Sequence, residues 1–183
     1  YQCAPPLRKS SDGAALWAQV AHGGLQSIGS DHCAFNITGQ KERGAADFTQ
    51  APGGLPGIET RLALLYSEGV RKGRLSLTQW VDCCCTAPAK IFGLFPRKGS
   101  LAIGADADFV LFDPALKAVI HRGEGSEAGY LHERVDHSPY EGFELGGWPV
   151  ATYLGGRLIA QHGQICSPAP AGSFLHCLKH EIL

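Results

Sequence analysis

The sequence predicts an α/β fold in which the closing units of a TIM-like (β/α) barrel run into a small β domain. Three observations carry this expectation. Residues 12–32 read as a helix, a short strand and then polar residues at the strand's C-terminal end, the order found where barrel enzymes place their reacting groups. From Ile58 to Cys85 apolar residues recur at helical spacing. After Gly93 the pattern shifts to short strand-like runs punctuated by turn residues.

Taken in order, the chain opens with Tyr1 to Arg8, a strand end and loop in which Pro5-Pro6 can continue neither a ladder nor a helix. Asp12 can cap a helix whose apolar face is Leu16, Trp17 and Val20 and which Gly23-Gly24 stops. Leu25 to Ser30 has strand length and ends on Asp31-His32. Asn36 to Pro56 shows no sustained period and reads as a long loop, a length more often functional than idle. Ile58, Leu62, Leu65 and Tyr66 mark a helix ending near Gly69 and Gly73. A further helix is expected over Leu77 to Cys85, and another from Thr86 with Pro88 in its first turn. Ala107 to Pro114 and Ala118 to Ile120 are strand-like, and Val150 to Ala160 reads as a hairpin turning on Gly155-Gly156. From Cys166 to Leu183 the Pro- and Gly-containing sequence reads as an extended tail that docks or stays mobile.

Composition excludes several function classes. The chain has 183 residues, 44% hydrophobic and 18% charged, with formal net charge -1, the balance of a soluble globular protein. No basic run offers a footprint for nucleic acid, and no apolar stretch approaches the ~20 residues that span a bilayer. Seven cysteines, of which Cys83, Cys84 and Cys85 are consecutive, suit reduced thiols in a cytoplasmic protein better than a disulfide framework. The chain holds no Met and begins at Tyr1 amid structured sequence, so translation is expected to start upstream.

The sharpest chemical feature is Gly29-Ser30-Asp31-His32-Cys33, which sets a carboxylate, an imidazole and a thiol, all zinc-ligand types, at the end of an apolar strand. The bland alternative is that Asp31 serves as a turn or cap residue. Neighbouring strand residues face opposite sides, so Asp31 and His32 are not expected to hold one metal together. In a helix Cys83 to Cys85 would be spread about 100° apart per residue, which favours buried small hydrophobes over a metal site. His132 and His137 have no ligand-spaced partner nearby and read as loop or surface residues. Glu59 and Arg61 open a helix and are expected to cap or pair locally. Gly99 to Gly104 lacks the Lys-Ser/Thr of a phosphate loop.

Several segments, in order and at the right spacing, carry a resemblance: Ala4-Pro5-Pro6-Leu7-Arg8, Gly29 to Phe35, Gly57-Ile58-Glu59-Thr60-Arg61, Ala89 to Gly99, Gly104 to Val110 with Asp113-Pro114, and Tyr140-Glu141-Gly142-Phe143. Together they are similar to the dihydropyrimidinase/D-hydantoinase pattern across nearly the whole chain. The resemblance implies a TIM-like barrel and a β-sandwich, with residues 1–95 contributing the last β/α units of an incomplete barrel, 96–165 part of the sandwich and 166–183 a tail. It also implies hydrolysis of a cyclic amide, dihydropyrimidine or hydantoin, by a hydroxide bridging two zinc ions. Asp31 matches the carboxylate that ligates the more buried zinc and shuttles the proton to the leaving ring nitrogen. Ala4 and Gly53 match positions whose main-chain groups hold the substrate's ring amide, although the family frequently has Ser and Asn there.

The same resemblance places the other zinc ligands, a His-x-His pair, a carboxylated lysine and two further histidines, upstream of the matched segment, together with the oxyanion-holding tyrosine. The chain alone is therefore expected to be inactive, because a catalytic zinc needs three or more fixed protein ligands. A homotetramer is the assembly that the resemblance implies. The alternatives are a non-enzymatic scaffold resembling the collapsin-response mediator proteins, which typically carry Ala where this chain has Asp31, and a truncated interaction module.

Overall fold

The structure is a computed structural model that describes residues 2–123, 125, 127–166 and 172–178. Those residues form a mixed α/β chain, helical up to residue 91 and stranded from residue 109.

Helix α1 (Ser10–Ala21) starts two residues earlier than its sequence signal, because Asp12 acts from inside the first turn. Its carboxylate accepts the Lys9 backbone N–H at 3.2 Å, satisfying a donor that precedes the helical ladder. The expected strand over Leu25 to Ser30 does not form. A strand exists only through its ladder, and here the Ile28 carbonyl is taken at 2.9 Å by the Arg61 guanidinium. Two residues beyond the segment, the one isolated bridge among the described residues pairs His32 with Leu55 in parallel. The loop that follows carries 3-10 turns at Lys41–Ala45 and Phe48–Gln50.

Helix α2 (Arg61–Leu65) begins three residues after Ile58, which is 62% exposed, and continues into a π turn over Tyr66–Val70. Helices α3 (Leu77–Val81) and α4 (Ala87–Ile91), expected as separate helices, are one run joined by a π turn over Asp82–Thr86. Ser76 and Gln79 close the start of α3 as a capping box, with bonds of 3.2 and 2.7 Å. The extra residue in each π turn shifts the helical register, so the cysteine run and Tyr66 fall where a regular helix would not place them.

Strands β1 (Phe109–Val119), β4 (Glu144–Leu154), β5 (Arg157–Gln161) and β6 (Gln164–Ile165) make an antiparallel sheet in the order β1-β4-β5-β6. The two strand-like runs at 107–120 merge into β1, with the Asp113–Lys117 stretch taken up as an irregularity against β4. The Gly155-Gly156 hairpin forms as its sequence predicts: φ values of 56° and 76° give both glycines the left-handed backbone that a two-residue turn demands. Strands β2 (His121–Arg122) and β3 (Tyr130–Leu131) pair in parallel beside this sheet. The four-stranded sheet and the β2–β3 pair are the sheets found among the described residues.

Two cores hold these parts together. One gathers Ala63 of α2, Ile120, Leu131 and Leu145, and packs helix on sheet. The other gathers Val20, Leu75 and Cys83 with Trp17 and Ile28 beneath α1. Between them Tyr66, Trp80 and Phe112 meet edge to face, with centroids 4.8 to 5.2 Å apart. Lys98 and Arg97 pair with Asp106, and Lys98 also with Asp108, whose other oxygen accepts the Gly155 N–H. The motifs at 96–99 and 104–110 thus fasten the end of the helical part to the hairpin. Of the tail, residues 167–171 and 179–183 lie outside the described residues, while the Leu178 N–H donates to the Gly93 carbonyl at 2.8 Å.

Candidate active site

Asp31 sits at φ 45°, one of two non-glycine residues with positive φ among the described residues. A left-handed backbone is uncommon outside glycine and is tolerated best by Asn and Asp, so the turn suits this residue type. The side chain is exposed and finds no hydrogen-bond or ion-pair partner among the described residues. A carboxylate in this setting is open to solvent and to a ligand.

The next residues are fixed. His32 Nδ1 accepts the N–H groups of Gly57 and Ile58 at 3.1 and 3.2 Å, which assigns the ring proton to Nε2. The ring nitrogen is thereby spent on the main chain, and Asp31 alone of the pair has its acceptors free. Glu133 lies against the same imidazole, Oε2 to Nδ1 3.7 Å, with a side chain 8% exposed and no hydrogen bond to either oxygen among the described residues. Burial pushes its carboxyl above the ordinary range, His32 opposing the shift and Glu59 adding to it.

The loops bearing Ala4 and Gly53 come together beside this turn. The Cys33 N–H donates to the Leu55 carbonyl at 3.1 Å, and the Gly54 N–H to the Gln2 carbonyl at 3.1 Å. A Cβ on Gly53 would stand 3.5 Å from the Ala4 nitrogen. Gly54, at φ 149°, runs so close to Cys33 that a Cβ there would meet its carbonyl oxygen at 2.3 Å. Glycine is required at that crossing, where three segments pass with no room for a side chain.

The buried Lys41 spans the same crossing, its ammonium donating to the Gln2 carbonyl at 2.8 Å and the Pro52 carbonyl at 3.0 Å. Lys41 and Glu133 were both missed by sequence reasoning. A lysine in a polar loop and a glutamate beside His132 give no local sign of burial. The start of the long loop is held by Asp136, which accepts the N–H groups of Ile37 and Thr38 at 2.6 and 2.8 Å and is lowered to about 2 by them.

Other sequence candidates lie elsewhere. Glu59 reaches across the fold instead of pairing locally: it accepts from His132 Nδ1 at 2.5 Å and from the His132 backbone N–H at 2.8 Å. His132 Nε2 meets the Gly163 carbonyl at 2.7 Å, so both ring nitrogens face acceptors and the bond to Glu59 raises its pKa. A cleft of about 510 Å³ beside His132 and β4–β5 includes none of Asp31, Ala4 or Gly53 in its lining. Cys83 is buried, with its sulfur 4.0 Å from that of the partly buried Cys84, and both pack in the core beneath α1. Among the described residues no three His, Cys, Asp or Glu side chains gather closely enough to hold a metal.

A sequence model for the amidohydrolase family matches residues 2–159. D-hydantoinase of Geobacillus stearothermophilus is 43% identical over 183 residues, which are 100% of this chain and 38% of that protein. Among solved structures, D-hydantoinase from a Bacillus species, AR9, superposes with a TM-score of 0.90 at 44% identity, over 100% of this chain and 38% of its own. Dihydropyrimidinase from Brevibacillus agri superposes with a TM-score of 0.83 at 44% identity, over 91% of this chain and 35% of its own. The chain thus spans a little over a third of the length of these relatives. With the family model running from the loop before Ala4 into β5, and the backbone superposing on that of a D-hydantoinase, this chain belongs to the amidohydrolase family.

Proposed function

We propose that the protein hydrolyses a cyclic amide, a dihydropyrimidine or a hydantoin, and that Asp31 carries the proton. The supporting observation is the convergence at one crossing of an unpartnered carboxylate and the two loops that bear Ala4 and Gly53. Main-chain groups at Ala4 and Gly53 hold the ring amide and present one ring carbonyl to water. Water adds to that carbonyl carbon while Asp31 takes its proton. The carbon–nitrogen bond then breaks, and Asp31 returns the proton to the departing ring nitrogen, leaving an open-chain acid. Backbone recognition tolerates the Ala and Gly found here, because it uses groups that every residue carries.

Two zinc ions are the cofactor this reading carries, and they would supply Lewis-acid activation of water and carbonyl. The described residues do not by themselves fit such a centre, since Asp31 has no companion ligand among them. In this proposal the remaining ligands come from other parts of the full-length enzyme, the 183-residue segment alone is inactive, and the enzyme assembles as a cytoplasmic homotetramer.

The test is turnover of dihydrouracil and hydantoin by the purified full-length protein, followed by product chromatography. Asp31→Asn is expected to lower kcat about 10²- to 10⁴-fold with the fold intact. Absence of turnover by the wild type would favour the scaffold alternative, and an active Asp31→Asn variant would remove Asp31 from the mechanism.

A further inference from the structure

Lys41 is 6% exposed, and its ammonium has no carboxylate partner among the described residues. It lies 5.9 Å from the Phe35 ring and donates to two main-chain carbonyls, those of Gln2 and Pro52, which belong to different loops. A buried ammonium is costly and usually pairs with an acid, so satisfaction by carbonyls alone calls for a reason beyond packing. The reason lies in what those carbonyls belong to. The Pro52 carbonyl and the Gly53 N–H are the two ends of one peptide plane, and the Gln2 carbonyl shares its plane with the Cys3 N–H, one residue before Ala4. Gripping the oxygen fixes the direction of the N–H at the other end, and a charged donor on the carbonyl strengthens that N–H as a donor in turn.

We propose that Lys41 is a positioning residue for substrate: it clamps the Gln2–Ala4 and Pro52–Gly54 loops so that their main-chain groups are set for a cyclic amide before it arrives. The inference rests on the proposed cyclic-amide hydrolysis. It answers the freedom that Gly53 and Gly54 give their loop, which substrate binding would otherwise have to remove. Gly54 contributes a parallel tie, donating to the same Gln2 carbonyl at 3.1 Å, so the clamp is a closed set of bonds and not a single contact. The ammonium touches peptide oxygens and not substrate, so its loss disturbs ground-state and transition-state binding alike.

The experiment compares wild-type, Lys41→Met and Lys41→Arg full-length enzymes in steady-state hydrolysis of dihydrouracil and hydantoin, alongside thermal unfolding. Lys41→Met is expected to raise KM about 10- to 100-fold while kcat falls less than about threefold. Lys41→Arg, which keeps charge and donors, is expected to recover most of the loss. If Lys41→Met fails to fold, Lys41→Gln takes its place, with the same split expected because one amide cannot reach both carbonyls as a cation does. An unchanged KM in a folded variant would overturn the clamp, as would a fall in kcat and stability together that arginine does not rescue. An active wild type with an unaltered KM in the variants sinks this inference alone. An inactive wild type sinks the cyclic-amide reading, and the clamp with it.

Discussion

Glu133 shows how much a single buried group can depend on distant sequence. Its carboxyl is raised by burial, so the protonated form suits the fold better than the charged one. Its contribution to stability is therefore fully present below the ordinary value of 4.5 and is lost as pH rises through the higher folded value. Glu133→Gln keeps the shape and cannot ionise. Urea midpoints measured from about pH 4 to about pH 8 should show the wild type losing stability relative to this variant as pH rises, and a constant difference would mean the carboxyl does not titrate in the fold. At this scale Asp31 stands out in the sequence only as a candidate, because a carboxylate after an apolar segment is conspicuous locally. Lys41 and Glu133 were not, because burial is conferred by loops and strands dozens of residues away. The same holds for Glu59, whose partner His132 lies 73 positions on.

Among the elements, legibility followed how far each depends on neighbours. Helix α1 and the Gly155-Gly156 hairpin are fixed by local chemistry and stand close to where their residues predict. The segment Leu25 to Ser30 has the residues of a strand without a ladder, since Arg61 takes a carbonyl that a neighbouring strand would bond. The π turns after α2 and α3 could not be foreseen from a 3.6-residue period, which they interrupt. Ile120, fully buried between α2 and the strands, tests how the elements share one core. Ile120→Val should cost about 0.5–1.5 kcal/mol and Ile120→Ala about 2–5 kcal/mol, read from denaturant unfolding. A loss of less than about 0.5 kcal/mol for alanine would mean that helix and sheet do not depend on this contact.

Over the whole molecule, the described residues hold one candidate metal ligand and several uncovered large apolar side chains, among them Phe48, Leu101, Ile103 and Phe174. A ligand raises stability only if it binds the folded state more tightly than the unfolded one. Zinc added to the 183-residue segment by itself is therefore expected to leave its unfolding temperature unchanged and to produce no hydantoin hydrolysis. A rise in unfolding temperature with zinc would show that these residues hold metal unaided. The motifs that revealed the family are distributed along the chain, which is why the family was legible even though the metal centre was not.

The Asp136 latch carries a consequence for how the protein is made. Asp136 anchors Ile37 and Thr38, respectively 99 and 98 residues earlier, and Glu133 lies against His32 across a similar interval. A nascent chain that has emerged only as far as the helices holds Asp31, yet lacks the carboxylate that fixes Ile37 and Thr38 at the start of the loop beside it. Closing so long an interval is slow compared with winding a helix. The start of this loop is thus among the last parts to assemble, and a chain released early leaves the ribosome with its helices formed and the loop beside Asp31 still untied at Ile37 and Thr38.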